Sequence, residues 1–151
     1  MKRILFICHG NICRSPMAEY IFLDLVQKAG RGAAYAAASA ATSTEELGNP
    51  VYPPAKRVLR AMGIDCSGKR ARQMTRRDYA DYDLLIGMDR WNLRNILRIT
   101  GGDPDGKVKL LLDYAGGGEV DDPWYTDDFE TARRDIERGC RALLMALEAE
   151  R

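Results

Sequence analysis

Histidine occurs once in the 151 residues, at position 9. That scarcity removes zinc sites built on several histidines and leaves little room for a Ser-His-Asp triad. No apolar stretch reaches the length of a membrane span. Met1-Lys2-Arg3 followed by Ile4 to Cys8 resembles the start of a signal peptide, but His9-Gly10-Asn11 ends the run far short of an apolar signal core. A cytoplasmic protein is therefore expected. Its four cysteines, Cys8, Cys13, Cys66 and Cys140, should there be mostly reduced and serve chemistry or burial rather than stapling. An excess of one charge sign is missing too: the formal net charge is +1, which argues against a dedicated nucleic-acid binder and names no partner. Internal repeats are absent, and Gly116-Gly117-Gly118 is the one low-complexity patch, read as a loop tip.

What remains is a chain of single-domain length, residues 1–151, able to bury a core without disulfides or a structural metal. Ile4 to Ile7 has the length and character of a buried strand. A short polar loop follows, then a helical pattern with apolar residues at Ala18, Ile21, Phe22, Leu25 and Val26. Ser15-Pro16 reads as its N-cap and first helical residue. Further on, Ala34 to Ala38 suggests a weak strand, Pro54 to Met62 a helix closed by Gly63, and Tyr82 to Gly87 a buried strand. Trp91 to Ile99 reads as a helix and Val108 to Leu112 as a strand. A long helix then opens on a capping box of Asp127 and Glu130. Such alternation predicts an α/β fold of three layers, a central four-stranded parallel sheet with helices on both faces. Ligands in these sheets bind beyond the carboxyl ends of the strands, so the loop from Cys8 to Ser15 is the first place to look.

Cys8-His9-Gly10-Asn11-Ile12-Cys13-Arg14-Ser15 joins a thiol, a small flexible segment, a guanidinium and a helix N-terminus. Together they suit a phosphate dianion. Converging backbone N–H groups and the helix dipole attract anions, helped by positive φ at Gly10 or Asn11. Arg14 offers a planar fork for two phosphate oxygens. The same field favours the thiolate of Cys8, and Ser15 could donate a hydrogen bond to it. A charged nucleophile ringed by donors is what phosphoryl transfer requires. The spacing C-x5-R alone is weak, since Cys66 and Arg72 share it. Neither a strand before that cysteine nor a capping serine after that arginine accompanies them.

The segment Cys8 to Pro16 resembles the signature of the low-molecular-weight protein tyrosine phosphatases. The likeness runs nearly end to end through Ser39-Ala40-Ala41-Thr42-Ser43, Gly48-Asn49-Pro50, Ala71-Arg72-Gln73 and Asp122-Pro123-Trp124. The resemblance implies hydrolysis of phosphotyrosine in protein substrates through a cysteinyl phosphate, without cofactor or metal and with inorganic phosphate released. Cys8 would be the nucleophile and Arg14 the phosphate clamp. Expelling a phenolate near pKa 10 is helped by an acid. Asp121 and Asp122 both qualify by position, and the resemblance selects Asp122. It also implies that Trp124 and Tyr125 line the ring slot, that Asn11 and Ser39 brace the loop, and that Cys13 can pair reversibly with Cys8. His9 is expected at the pocket rim, with Gly10, Ile12, Cys13 and Ser15 around the phosphate.

Two departures stand out. Glu45 occupies a pocket-wall position that is aromatic in many relatives, which weakens ring stacking or favours basic sequence around the phosphotyrosine. Lys69 lies near a position often held by histidine in bacterial relatives, which puts one supporting hydrogen bond in question. Three rival functions remain. Protein-arginine phosphatases share almost the whole signature but tend to carry Thr where Ile12 stands. Arsenate reductases need two further redox cysteines. A noncatalytic phosphoprotein-binding module would have no use for Asp122-Pro123-Trp124. Neither membrane nor nucleic acid is an expected partner, and no residue specifies an oligomeric state.

Overall fold

Continuous apolar runs of strand length place the sheet at the centre of a computed structural model that describes residues 1–150. Strand β1 (Lys2–Cys8) lies between β2 (Tyr35–Ala41) and β3 (Leu84–Gly87), and β4 (Val108–Leu110) closes the other edge. All pairings are parallel, in the order β2-β1-β3-β4. Around the sheet run α1 (Arg14–Lys28), α2 (Pro53–Ala61), α3 (Asp78–Asp81), α4 (Arg90–Thr100), α5 (Pro123–Thr126) and α6 (Phe129–Ala149). A 3-10 turn, Leu111–Ala115, follows β4.

Strand periodicity sorts β1 onto two faces. Ile4 and Phe6 meet Ile21 and Phe22 of α1, Leu59 of α2 and Ile136 and Leu143 of α6. Leu5 and Ile7 pack instead with Leu85, Ile96 of α4 and Met74. The helices thus cover both faces, the arrangement expected from right-handed crossovers. Because β1 is flanked by β2 and β3, the chain leaves β1 toward one face and β3 toward the other. The crevice between these two departures is the topological switch point where ligands bind. Cys8 ends β1 beside Ala41 of β2, and Gly87 ends β3 one register step away.

Several element boundaries differ from the sequence reading. Helix α1 begins at Arg14, not after Ser15, with Cys13 in the capping position and no side-chain cap. Pro16 is tolerated because the first four N–H groups of a helix lack internal partners anyway. The weak strand expected at Ala34 to Ala38 extends to Ala41, drawn out by its full pairing with β1. Strand β3 starts at Leu84, because Tyr82 instead closes the short helix α3. The last strand stops at Leu110 where the 3-10 turn takes over. Helix α6 is capped by Asp128, whose carboxylate accepts the N–H of Thr131, rather than by an Asp127–Glu130 box. Asp127 is spent on ending α5, in the left-handed conformation at φ 60.

Candidate active site

Residues 8–15 fold into a tight loop whose donors converge on one sulfur. Cys8 Sγ receives the backbone N–H of Asn11 at 3.3 Å and of Ser15 at 3.4 Å, and lies 3.0 Å from Ser15 Oγ. Asn11 makes the turn by taking φ 61, a left-handed conformation that Asn tolerates because its short side chain bonds locally. Gly10 lies on the pocket wall without positive φ.

The bracing hydrogen bonds have a direction. Asn11 Oδ1 accepts the N–H of Arg72 at 3.1 Å, so its amide nitrogen must point the other way, donating to Ser15 Oγ and to Ser39 Oγ, each at 2.9 Å. Ser15 Oγ already accepts from Asn11, which leaves its own hydrogen for the sulfur of Cys8. Ser39 in turn donates to Glu19 Oε1 at 2.6 Å. Lys69 sits 3.7 Å from that carboxylate and donates to the Ser39 carbonyl at 2.8 Å, so it supplies the support that the sequence left in question. Burial pushes Glu19 above the usual carboxylate range despite Ser39 and Lys69, and burial likewise pushes Lys69 below the usual ammonium range despite Glu19.

Arg14, 2 % exposed, is held by groups from two distant segments. Its Nη1 donates to Asp89 Oδ2 at 2.7 Å and to the Val120 carbonyl at 2.8 Å, and Nη2 lies 3.4 Å from Asp122 Oδ2. Burial works against the Arg14 cation, but Cys8 and the two carboxylates outweigh it and raise its pKa. Asp89 caps α4 with its other oxygen, which accepts the N–H of Asn92 at 2.8 Å. Nothing in the local sequence marked Asp89 as a site residue. A carboxylate at the end of a second strand beside the switch point was the one available signal.

Asp122 caps α5, its Oδ1 accepting the N–H of Trp124 at 3.0 Å, so its carboxylate is fixed over the pocket while Pro123 sets the turn. Asp121 is exposed and does not line the pocket. The pocket, of about 120 Å³, brings together Cys8, His9, Gly10, Ile12, Cys13, Arg14, Asp122, Trp124 and Tyr125, with Glu45 and Glu46 at the side. Ser15 and Ser39 are fully buried and do not line the pocket, Ser15 closing the loop and Ser39 bonding to it through Asn11. Trp124 leans on Tyr52 with ring centroids 5.0 Å apart. His9 lines the pocket, and its Nε2 meets Glu45 Oε2 at 2.7 Å, so the ring is partnered by the wall residue that departs from the family pattern. Cys13 is buried, and burial, with Cys8 and Asp122 adding negative charge, pushes its thiol well up.

The sequence profile of the family described as low molecular weight phosphotyrosine protein phosphatase matches residues 3–151. This chain belongs to that family. It is 39% identical over 154 residues to the low molecular weight protein-tyrosine-phosphatase YfkJ of Bacillus subtilis, spanning 100% of this chain and 99% of that protein. The human low molecular weight phosphotyrosine protein phosphatase is 38% identical over 149 residues, covering 95% of this chain and 94% of the relative. The crystal structure of YfkJ superposes with a TM-score of 0.96 over 100% of this chain and 97% of the other. A Drosophila arginine phosphatase is also similar, at TM-score 0.88 and 27% identity, with 97% and 98% covered. As a low molecular weight phosphatase, the protein is a phosphoric monoester hydrolase of the protein-tyrosine-phosphatase class.

Proposed function

We propose that the single domain of residues 1–151 hydrolyses phosphotyrosine in proteins with Cys8 as nucleophile, Arg14 as phosphate clamp and Asp122 as general acid and base. The observation that carries this reading is the convergence of three donors on Cys8 Sγ in a pocket that also holds Arg14 and Asp122. In the first step Cys8 Sγ forms a bond to phosphorus as the phosphorus–oxygen bond to tyrosine breaks. Asp122 gives its proton to the departing oxygen. In the second step water attacks phosphorus, Asp122 takes a proton from it, the S–P bond breaks, and inorganic phosphate leaves with the thiolate restored. The guanidinium of Arg14 and the N–H groups of the loop bear on the equatorial oxygens in both steps.

Cys8 lies at the floor and Ile12 and Trp124 on the walls, so a flat aryl ring between phosphate and peptide finds apolar surface. Tyr125, 84 % exposed, extends that wall outward. A nucleophile that acts as thiolate suits a reducing compartment such as the cytoplasm. The test is hydrolysis, in EDTA and reductant, of phosphotyrosine, phosphoserine and phosphoarginine peptides by the wild type and by Cys8→Ser. A phosphotyrosine preference that vanishes in Cys8→Ser is expected. Turnover by Cys8→Ser at the wild-type rate would sink the mechanism, and a phosphoarginine preference would move the substrate while keeping the chemistry. Asp122→Ala should slow poor leaving groups more than good ones, and equal slowing would remove the acid role.

A further inference from the structure

A second concavity, of about 590 Å³, adjoins the catalytic pocket and shares Ile12, Glu46 and Trp124 with it as a common wall. Its other side is the face of α2 bearing Lys56, Arg57 and Arg60. Helical periodicity puts them there, because Ala55 and Leu59 turn into the core and leave this edge outside. Among the described residues no carboxylate lies within ion-pair distance of these three cations. On α6, by contrast, Arg133, Arg134, Arg138 and Arg141 each have a carboxylate of their own helix to pair with.

The negative groups nearby keep their charge but make their short bonds to neutral donors rather than to these cations. Glu46 lines the groove, but its Oε2 accepts Asn49 Nδ2 at 2.8 Å. Asp65, beyond the end of α2, accepts the N–H of Ser67 at 2.9 Å and shares a neighbouring concavity with Lys56 and Arg60, outside the groove and beyond ion-pair distance of either. Three cations against the one carboxylate of Glu46 leave the groove with a surplus of two positive charges. Glu45 lines the catalytic pocket but not the groove, and its carboxylate meets His9 Nε2 at 2.7 Å. The cationic surplus therefore belongs to the α2 groove and not to the catalytic pocket, whose side holds Glu45 and Glu46.

We infer that the α2 groove docks acidic residues flanking the phosphotyrosine of the substrate, so that the enzyme selects acidic phosphotyrosine peptides. The inference rests on hydrolysis of phosphotyrosine in the adjoining pocket. A peptide anchored by its phosphate at Cys8 leaves past Ile12 and Trp124, the wall common to both concavities, and its neighbouring side chains then face Lys56, Arg57 and Arg60. Charges of this kind, with Arg57 and Arg60 exposed and Lys56 half-buried, act mainly on encounter and are screened by salt.

The experiment compares kcat/KM for two phosphotyrosine peptides, one with Glu and Asp flanks and one with Gln and Asn flanks, using wild type and the triple variant Lys56→Gln/Arg57→Gln/Arg60→Gln. The wild type should prefer the acidic peptide by about five- to tenfold at low salt, from three charges of modest individual weight. That preference should collapse in the variant and at high salt, while turnover of p-nitrophenyl phosphate stays within about twofold of wild type. Equal rates for both peptides in the wild type, or a preference that survives in the variant, overturn the inference. Anisotropy binding of the same peptides to Cys8→Ser separates the groove from the chemistry. An acidic preference there, with no turnover by the wild type, upholds the groove and removes the hydrolytic reading. Equal binding of the two peptides overturns the groove whatever the turnover.

Discussion

At the scale of single residues, catalytic readiness depends on side chains whose second bonds fix their first. Asp89 is the clearest case, because one carboxylate oxygen holds Arg14 Nη1 at 2.7 Å while the other caps α4. The two duties come apart under substitution. Asp89→Asn keeps an effective N-cap, since Asn is among the best, but gives up the charge that orients Arg14. It should retain wild-type thermal stability to within about 1 kcal/mol and lose on the order of tenfold in kcat/KM for p-nitrophenyl phosphate, the weight of one charge-assisted hydrogen bond. Asp89→Ala should lose activity similarly and also destabilise the fold by about 1 kcal/mol. Wild-type kinetics in Asp89→Asn would show that Asp89 serves the helix alone. Such a residue could not be read from the chain, because 75 positions separate it from its partner. Cys8, Arg14 and Ser15 could be grouped from the chain because a local loop gathers them, whereas the residues left Asp121 and Asp122 open and only the family resemblance chose Asp122.

At the scale of elements, boundaries set by tertiary partners were the ones the sequence hid. Ser15 has the composition of a helix cap, yet its hydroxyl goes to Cys8 Sγ, so the helix starts earlier and Arg14 becomes its first residue. The parallel sheet and its covering layers followed from the alternation of apolar runs and helical faces, whereas the strand order β2-β1-β3-β4 came only with the structure. The approach of α6 to the 3-10 turn was not visible in this way. Gly139 lies within α6, where glycine costs about 1 kcal/mol relative to alanine, and the contact explains its presence. A Cβ there would stand 2.5 Å from Leu111 Cγ and 3.1 Å from Leu112 Cδ2. That turn leads into the loop whose Val120 carbonyl holds Arg14 and whose Asp122 caps α5. Gly139→Ala should therefore destabilise the protein despite its better helix propensity, by about 1–2 kcal/mol as overpacking outweighs the gain. Denaturant unfolding reads this directly. An increase in stability would mean that Leu111 swings aside at no cost and that the close contact does not define the α6 seat.

At the scale of the whole molecule, the proposed anion site joins chain segments that have no reason to meet in the unfolded state. The loop after β1, the cap of α4 and the segment through Asp122 converge only when the parallel sheet has formed. A ligand of that site binds the native state alone, so inorganic phosphate should raise the melting temperature by mass action. At one hundred times its dissociation constant the gain is about 2.7 kcal/mol, which for a chain of this size shifts Tm by roughly 5–11 °C. Chloride at matched ionic strength should not reproduce the shift. Cys8→Ser keeps the donors of the loop and Arg14, and should keep most of the stabilisation. Arg14→Met removes the planar fork and should abolish it, whatever its own basal stability, because the comparison is between each variant with and without phosphate. A wild-type melting temperature indifferent to phosphate would show that the convergence of Arg14, the loop N–H groups and Cys8 does not constitute an anion site, and the proposed chemistry would fall with it.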